Sequence, residues 1–175
     1  KRQIEPSAFL IHKTLNQNCS SYVYGEISSQ SLLSIMNDFS CDNCKFLDIG
    51  SGLGNVLFDL SVIENLQLYG IEIDPDRYYS SIMAQELLNI DEGTIEIMQG
   101  DYRKLYLGNY DFLYCCNCVF ETEDNDELFD KIIKEFKGHC FLFAFNKKML
   151  PYYVKHFVIN TSWIKNTQLY YFYLK

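Results

Sequence analysis

The 175-residue sequence has no apolar stretch approaching the roughly 18 residues that a bilayer-spanning helix needs, and charges interrupt Lys1 to Lys13 before a signal-peptide core could form. These absences exclude a membrane anchor of that kind and point to a soluble, intracellular protein. Basic clusters are also missing. With a net charge of −8 and no Lys/Arg group larger than Lys147-Lys148, weak direct nucleic-acid binding is the most the chain supports, because phosphate recognition relies on a basic face. No Pro/Gly/Ser-rich linker, internal repeat or shift of composition divides the sequence. At 48% hydrophobic it can bury one substantial core, so residues 1–175 read as a single domain. His12, His139 and His156 have no partner spacing for a metal and read as structural or exposed. The seven cysteines include Cys41-x-x-Cys44 and the group Cys115, Cys116 and Cys118. The first pair precedes the first expected strand and the second group closes the fourth, which separates them by about a strand length, ~20 Å. No metal site is expected, and unevenly spaced thiols of odd number fit a reducing compartment.

What is present begins with Asp48-Ile-Gly50-Ser-Gly52-Leu-Gly54, behind the apolar pair Phe46-Leu47 and ahead of a helix-like stretch from Asn55. Glycines on a strand-to-helix turn allow positive φ and close approach of a ligand to the backbone. Asp48 adds a carboxylate that attracts an ammonium group and has no use in a phosphate-binding loop. A dinucleotide fingerprint needs glycine at its sixth position, which here is Asn55. Two further acids end two further apolar runs. Glu72 closes Leu66 to Ile73, where its oxygens suit both hydroxyls of a ribose. Asp101 follows Ile95 to Met98, where it suits an adenine amino group, with Tyr102 placed to stack on the base. Three acids at three successive strand ends point to S-adenosyl-L-methionine.

Periodicity supplies the frame. Helices are expected over Ser7 to Leu15, Ser28 to Phe39, Val56 to Glu64, Pro75 to Leu88 and Asn125 to Phe136. Strands are expected over Lys45 to Ile49, Leu66 to Ile73, Ile95 to Met98, Tyr110 to Cys116 and Cys140 to Phe145. Such alternation predicts a parallel sheet covered by helices on both faces. Val154 to Ile159 and Leu169 to Leu174 are joined by a short polar segment that permits only antiparallel pairing. The expected fold is therefore α/β and Rossmann-like: a mostly parallel seven-stranded sheet with a carboxyl-terminal antiparallel hairpin, as in class I methyltransferases. Residues 1–39 form a helical segment with a cofactor loop, and 45–175 the core.

Val23-Tyr24-Gly25-Glu26, the Asp48 to Gly54 turn, Gly100-Asp101, and Ser162-Trp163 followed by Tyr170-Tyr171 occur in one order. Together they resemble the non-SET histone-lysine methyltransferases, the disruptor-of-telomeric-silencing family, from about Tyr22 to Leu174. The resemblance implies transfer of a methyl group from S-adenosyl-L-methionine, leaving S-adenosyl-L-homocysteine, to a lysine in the globular core of nucleosomal histone three. It implies a nuclear, chromatin-associated setting. By position it assigns Val23, Tyr24 and Glu26 to a loop over the methionine half of the donor, joined by Asp48, Gly50, Gly52, Asn55, Glu72, Asp101, Tyr102 and Cys116. The walls of a substrate channel correspond to Tyr114, Trp163 and Tyr171, with Phe120 nearby, and Asn117 keeps one asparagine of a family pair. Ile27 stands where the family has threonine, Asn55 where it has glutamine and Cys116 where it has asparagine. The stretch between Phe145 and Trp163 is short, and no basic DNA-gripping extension is present. Lys147, Lys148, Lys155 and Lys165 then form a reduced docking face, or additional chain or another protein supplies the grip. Two alternatives stay open: a methyltransferase for a non-histone protein or small molecule, and a catalytically silent cofactor-binding module.

Overall fold

The computed structural model of the protein describes residues 27–39, 41–91, 93–162 and 164–175. The helix expected over Ser7 to Leu15 and the loop residues Val23, Tyr24 and Glu26 lie outside them, as does Trp163. Helix α1 spans Ser29–Met36, begins at Ser28, whose hydroxyl accepts from the Ser31 backbone N–H, and buries Leu32, Ile35 and Met36. It stops three residues earlier than its apolar pattern suggests. The N–H groups of Asp38 and Phe39 donate to the carbonyls of Ile35 and Met36 instead, and the tightened turn sends the Phe39 ring against Phe112, Phe141 and Tyr171.

Strands and helices then alternate: β1 Cys44–Ile49, α2 Asn55–Leu60, β2 Leu66–Glu72, α3 Pro75–Leu87, β3 Ile95–Gln99, β4 Phe112–Cys115, α4 Thr122–Glu135, β5 Gly138–Leu142, β6 Tyr153–Ile159 and β7 Thr167–Leu174. Their order in the sheet is β3-β2-β1-β4-β5-β7-β6. Pairs among the first five are parallel, while β7 runs antiparallel to both β5 and β6. Strand β5 is two residues earlier and shorter than the run Cys140 to Phe145, because Phe143 and Ala144 leave the ladder to donate their N–H groups to Asn117. Helix α4 starts at Thr122, earlier than expected, which puts Glu123 and Asp124 in its first turn, where the helix dipole favours acids.

Side chains alternate across the sheet and build two cores. On one face Phe46, Leu68, Phe112, Tyr114 and Phe141 meet α1, α2 and α3. On the other, Leu47, Ile49, Leu113, Cys115 and Cys140 meet Leu128, Phe129 and Ile132 of α4. Burial on both faces explains why the central strands lack polar alternation. Among the described residues no helix is long and apolar enough to cross a membrane.

Asp59 on α2 is half-buried beside α1. Burial raises its carboxyl pKa, only partly opposed by a hydrogen bond with Ser29. A carboxyl whose folded pKa lies above its unfolded one binds protons more readily when folded, so it removes stability as pH rises from about 4 through the raised value. Asp59→Asn should therefore raise the Tm at pH 7 more than at pH 4, measured by thermal unfolding across that range. Equal shifts at both pH values would count against the burial argument.

Candidate functional site

The strand order reverses at β1, which has β2 on one side and β4 on the other. Connections from the carboxyl ends of these strands diverge, and such a switch point leaves a crevice. A cavity of about 580 Å³ opens there, within the range that takes a nucleoside-sized ligand. Its floor is the glycine turn. Gly50, Gly52 and Gly54 all have positive φ, at 74°, 56° and 86°, a conformation in which any side chain is strained. The N–H groups of Gly50 and Ser51 both donate to the Ile71 carbonyl, hooking the turn over the end of β2.

The three acids stand where the sequence places them, all lining the cavity. Asp48 is buried at the end of β1, in register with Gly70 and Tyr114. Glu72, also buried, accepts from Gly52 N–H at Oε2 (2.7 Å) and from Asp74 N–H at Oε1 (2.9 Å). Each of its oxygens keeps a second lone pair for a diol. Asp101 follows β3 and accepts from Arg103 Nε at both oxygens, 2.9 Å each, and from the Arg103 backbone N–H at 3.0 Å. This guanidinium hydrogen bond holds the Asp101 carboxyl below the ordinary range. Tyr102 and Phe120 present roughly parallel rings with centroids 6.3 Å apart. Burial, reinforced by the Glu127 carboxylate, pushes the Tyr102 phenol up to about 12, so it stays neutral. Ile49, Val56, Ile71, Ile73 and Val119 supply apolar walls.

Cys116, Tyr114 and Phe120 join the same lining. Gly52 contributes through its bond to Glu72, and Asn55 begins α2 beside the turn. Gly52 and Asn55 stand outside the cavity's lining, and two further expected site residues sit elsewhere. Asn117 is fully buried: its Oδ1 accepts from Phe143 N–H (3.0 Å) and Ala144 N–H (2.9 Å), while its Nδ2 donates to Asn125 Oδ1 (2.7 Å). It ties the end of β4 to the chain leaving β5. Tyr171 pairs with Phe141 in mid-sheet. Its hydroxyl lies 2.8 Å from His139 Nδ1, at the amino end of β5 and away from the cavity. Burial lowers the His139 pKa. Tyr171→Phe should cost about 1 kcal/mol of stability and leave ligand affinity at the cavity unchanged, as read by denaturant unfolding beside calorimetry. A sharp loss of transfer with normal stability would instead support a channel role. The neighbouring Tyr170 projects from the other face, opposite Leu142 at the carboxyl edge, with its ring 5.2 Å from Phe145.

Arg77, Arg103, Cys118 and Asp124 also line the cavity and were not among the expected site residues. Arg103 was legible in part, since Asp-x-Arg at a strand end brings the two groups within reach. Arg77 is placed by the Asp74 cap of α3, which accepts from Arg77 N–H at 3.0 Å. No local pattern announces that.

The fold recurs in solved structures. The magnesium protoporphyrin IX methyltransferase of Synechocystis PCC 6803, with bound S-adenosyl-L-homocysteine, superposes with a TM-score of 0.68 at 15% identity, covering 84% of this chain and 83% of that one. An RNA methyltransferase of Salinibacter ruber, also in complex with S-adenosyl-L-homocysteine, gives 0.64 at 15% identity over 83% and 89%. A protein of Methanococcus maripaludis, provisionally assigned as an S-adenosyl-L-methionine-dependent methyltransferase, gives 0.55 at 22% identity over 63% of this chain, which spans only 52% of its length. A search of curated proteins finds no match. These likenesses establish the Rossmann-like methyltransferase fold. The sequence profile described as histone methylation protein DOT1 matches residues 3–166. Because that match runs through every cavity-lining strand end, the chain belongs to the DOT1 histone methylation family.

Proposed function

We propose that the protein is an S-adenosyl-L-methionine-dependent histone-lysine N-methyltransferase whose acceptor is a lysine in the core of nucleosomal histone three. The observation that carries this is the cavity lined together by Asp48, Glu72 and Asp101 at the ends of β1, β2 and β3, in a chain of this family. The residues fit the donor. Glu72 suits the ribose, Asp101 with Tyr102 the adenine, and Asp48 the cationic methionine end. Bound there, the donor supplies an electrophilic methyl group on a sulfonium. Transfer to a neutral amine needs alignment and desolvation more than a strong base. Tyr114, buried and lining the cavity, and Phe120 give low polarity that favours the neutral amine. Their ring faces attract cations by ~0.5–2 kcal/mol.

A basic protein acceptor also suits the surroundings. Helix α4 carries Glu123, Asp124, Asp126, Glu127 and Asp130, and Asp124 reaches the cavity wall. The lysines considered for docking are partly committed: Lys148 Nζ pairs with Asp130 at 2.8 Å, and Lys155 Nζ lies 3.8 Å from Asp38. This supports the view that other chain or a partner contributes to nucleosome grip.

The test is transfer of labelled methyl from the donor to intact nucleosomes, to free histones and to a non-histone lysate. Label on histone three in nucleosomes is expected. Label confined to non-histone protein or small molecules would favour the alternative acceptor, and tight donor binding without transfer would favour a silent module.

A further inference from the structure

Arg103 governs how much of the Asp101 carboxylate is left for a ligand. Among the described residues, Asp101 Oδ1 accepts twice, from the Arg103 backbone N–H at 3.0 Å and from Arg103 Nε at 2.9 Å, whereas Oδ2 accepts from that Nε alone, also at 2.9 Å. A carboxylate oxygen offers two lone-pair sites. Oδ1 is therefore filled, and Oδ2 keeps one. The guanidinium is held in its turn: Nη1 donates to Glu127 Oε2 at 3.4 Å and lies 3.9 Å from Asp124 Oδ1, both on α4. It also stands 6.0 Å from the centre of the Tyr102 ring. One side chain thus joins the chain after β3, the ring beside it and α4, and Asp101, Tyr102, Arg103 and Asp124 all line the cavity. The Arg103 and Asp101 side chains are 40% and 22% exposed, and ion pairs in such contact with water add little to stability. The consequence of the pairing falls instead on what the cavity accepts.

We propose that Arg103 is a positioning residue for donor recognition: by filling Oδ1 it leaves Asp101 one fixed acceptor for an exocyclic amino group, and so makes the cavity select adenosine-type over inosine-type donors. This rests on the cavity being the donor site. An adenine ring brings an N–H to Oδ2. A hypoxanthine ring brings a carbonyl oxygen to the same place, and an acceptor then faces a carboxylate that Arg103 prevents from turning aside. Selectivity of this kind needs the repulsive contact as much as the attractive one. Without the guanidinium, Asp101 regains its side-chain rotamers, and Asp124 and Glu127 lose the cation that stands between them and Asp101. The amino group then loses its fixed partner and the carbonyl its fixed opponent.

The test is calorimetry of the full chain with S-adenosyl-L-homocysteine and with its deaminated analogue, S-inosyl-L-homocysteine. Wild type should favour the adenosine compound by about 100-fold or more. Arg103→Leu should cut that ratio by about tenfold or more, chiefly through weaker binding of the adenosine compound, with a Tm close to that of wild type. Arg103→Lys, which brings a single ammonium and no fork, should fall between them. In an Asp101→Ala background Arg103→Leu should alter the ratio no further, because the two side chains act as one unit. An unchanged ratio in Arg103→Leu, an equal fall in both affinities, or a full effect in the Asp101→Ala background would overturn the proposal. Should the leucine variant fail to fold, Arg103→Lys carries the comparison, and a ratio equal to that of wild type overturns it. Wild type that binds both compounds equally sinks the selectivity alone, whereas wild type that binds neither sinks the donor-site reading and this inference with it.

Discussion

Glu72→Ala should lose both donor affinity and stability, and the two losses should be separable. Two charge-assisted hydrogen bonds to the ribose are worth about 3 kcal/mol together, or ~100-fold in affinity for S-adenosyl-L-homocysteine by calorimetry. The same substitution strips the acceptors from Gly52 N–H and Asp74 N–H, and an unsatisfied buried donor costs about 1–3 kcal/mol in denaturant unfolding. Glu72→Gln keeps one acceptor oxygen and should fall between wild type and alanine on both scales. A variant that is destabilised but binds normally would show that Glu72 only braces the glycine turn. Both backbone donors reach the carboxylate because it ends β2 beside that turn: the Gly52 N–H comes from β1's loop, and the Asp74 N–H from the start of α3.

Gly138→Ala should be strongly destabilising. Gly138 has φ of 139°, outside what side chains adopt readily. A Cβ there would sit 2.3 Å from the Asp111 carbonyl oxygen. The obstacle is backbone, and it is held in place, since that oxygen accepts from His139 N–H at 2.9 Å. Backbone strain and overpacking together make about 3–5 kcal/mol, measured by denaturant unfolding. The position lies at the amino end of β5, across the sheet from the cavity. The fraction that remains folded at low temperature should therefore bind S-adenosyl-L-homocysteine with wild-type affinity. A variant as stable as wild type would mean that the β4–β5 edge rearranges freely.

The contrast between these two sites shows where local pattern was informative. Asp48, Glu72 and Asp101 were legible because each ends an apolar run, and in a parallel sheet all such ends share one edge. Tyr171 and Asn117 were not, although both stand in recognisable segments. Tyr171 belongs to a strand whose neighbours are set by insertion of β7 between β5 and β6, and its hydroxyl direction follows from that register. Asn117 follows β4 like a pocket residue, but its amide is taken up by N–H groups 26 and 27 residues further on. Both assignments depend on contacts distant in sequence, about which periodicity carries no information.

From the order of its residues alone, then, the chain set its alternation of strands and helices, the sheet edge on which its acids gather, and the family whose segments it carries. Those properties follow from hydrophobic period and turn chemistry, which act over a few residues. Tertiary packing decided which side chains on that edge face the cavity, brought Arg77, Arg103 and Cys118 to its wall, and turned Tyr171 toward His139. Such choices rest on strand order, register and buried hydrogen bonds, and these exist only once distant segments meet.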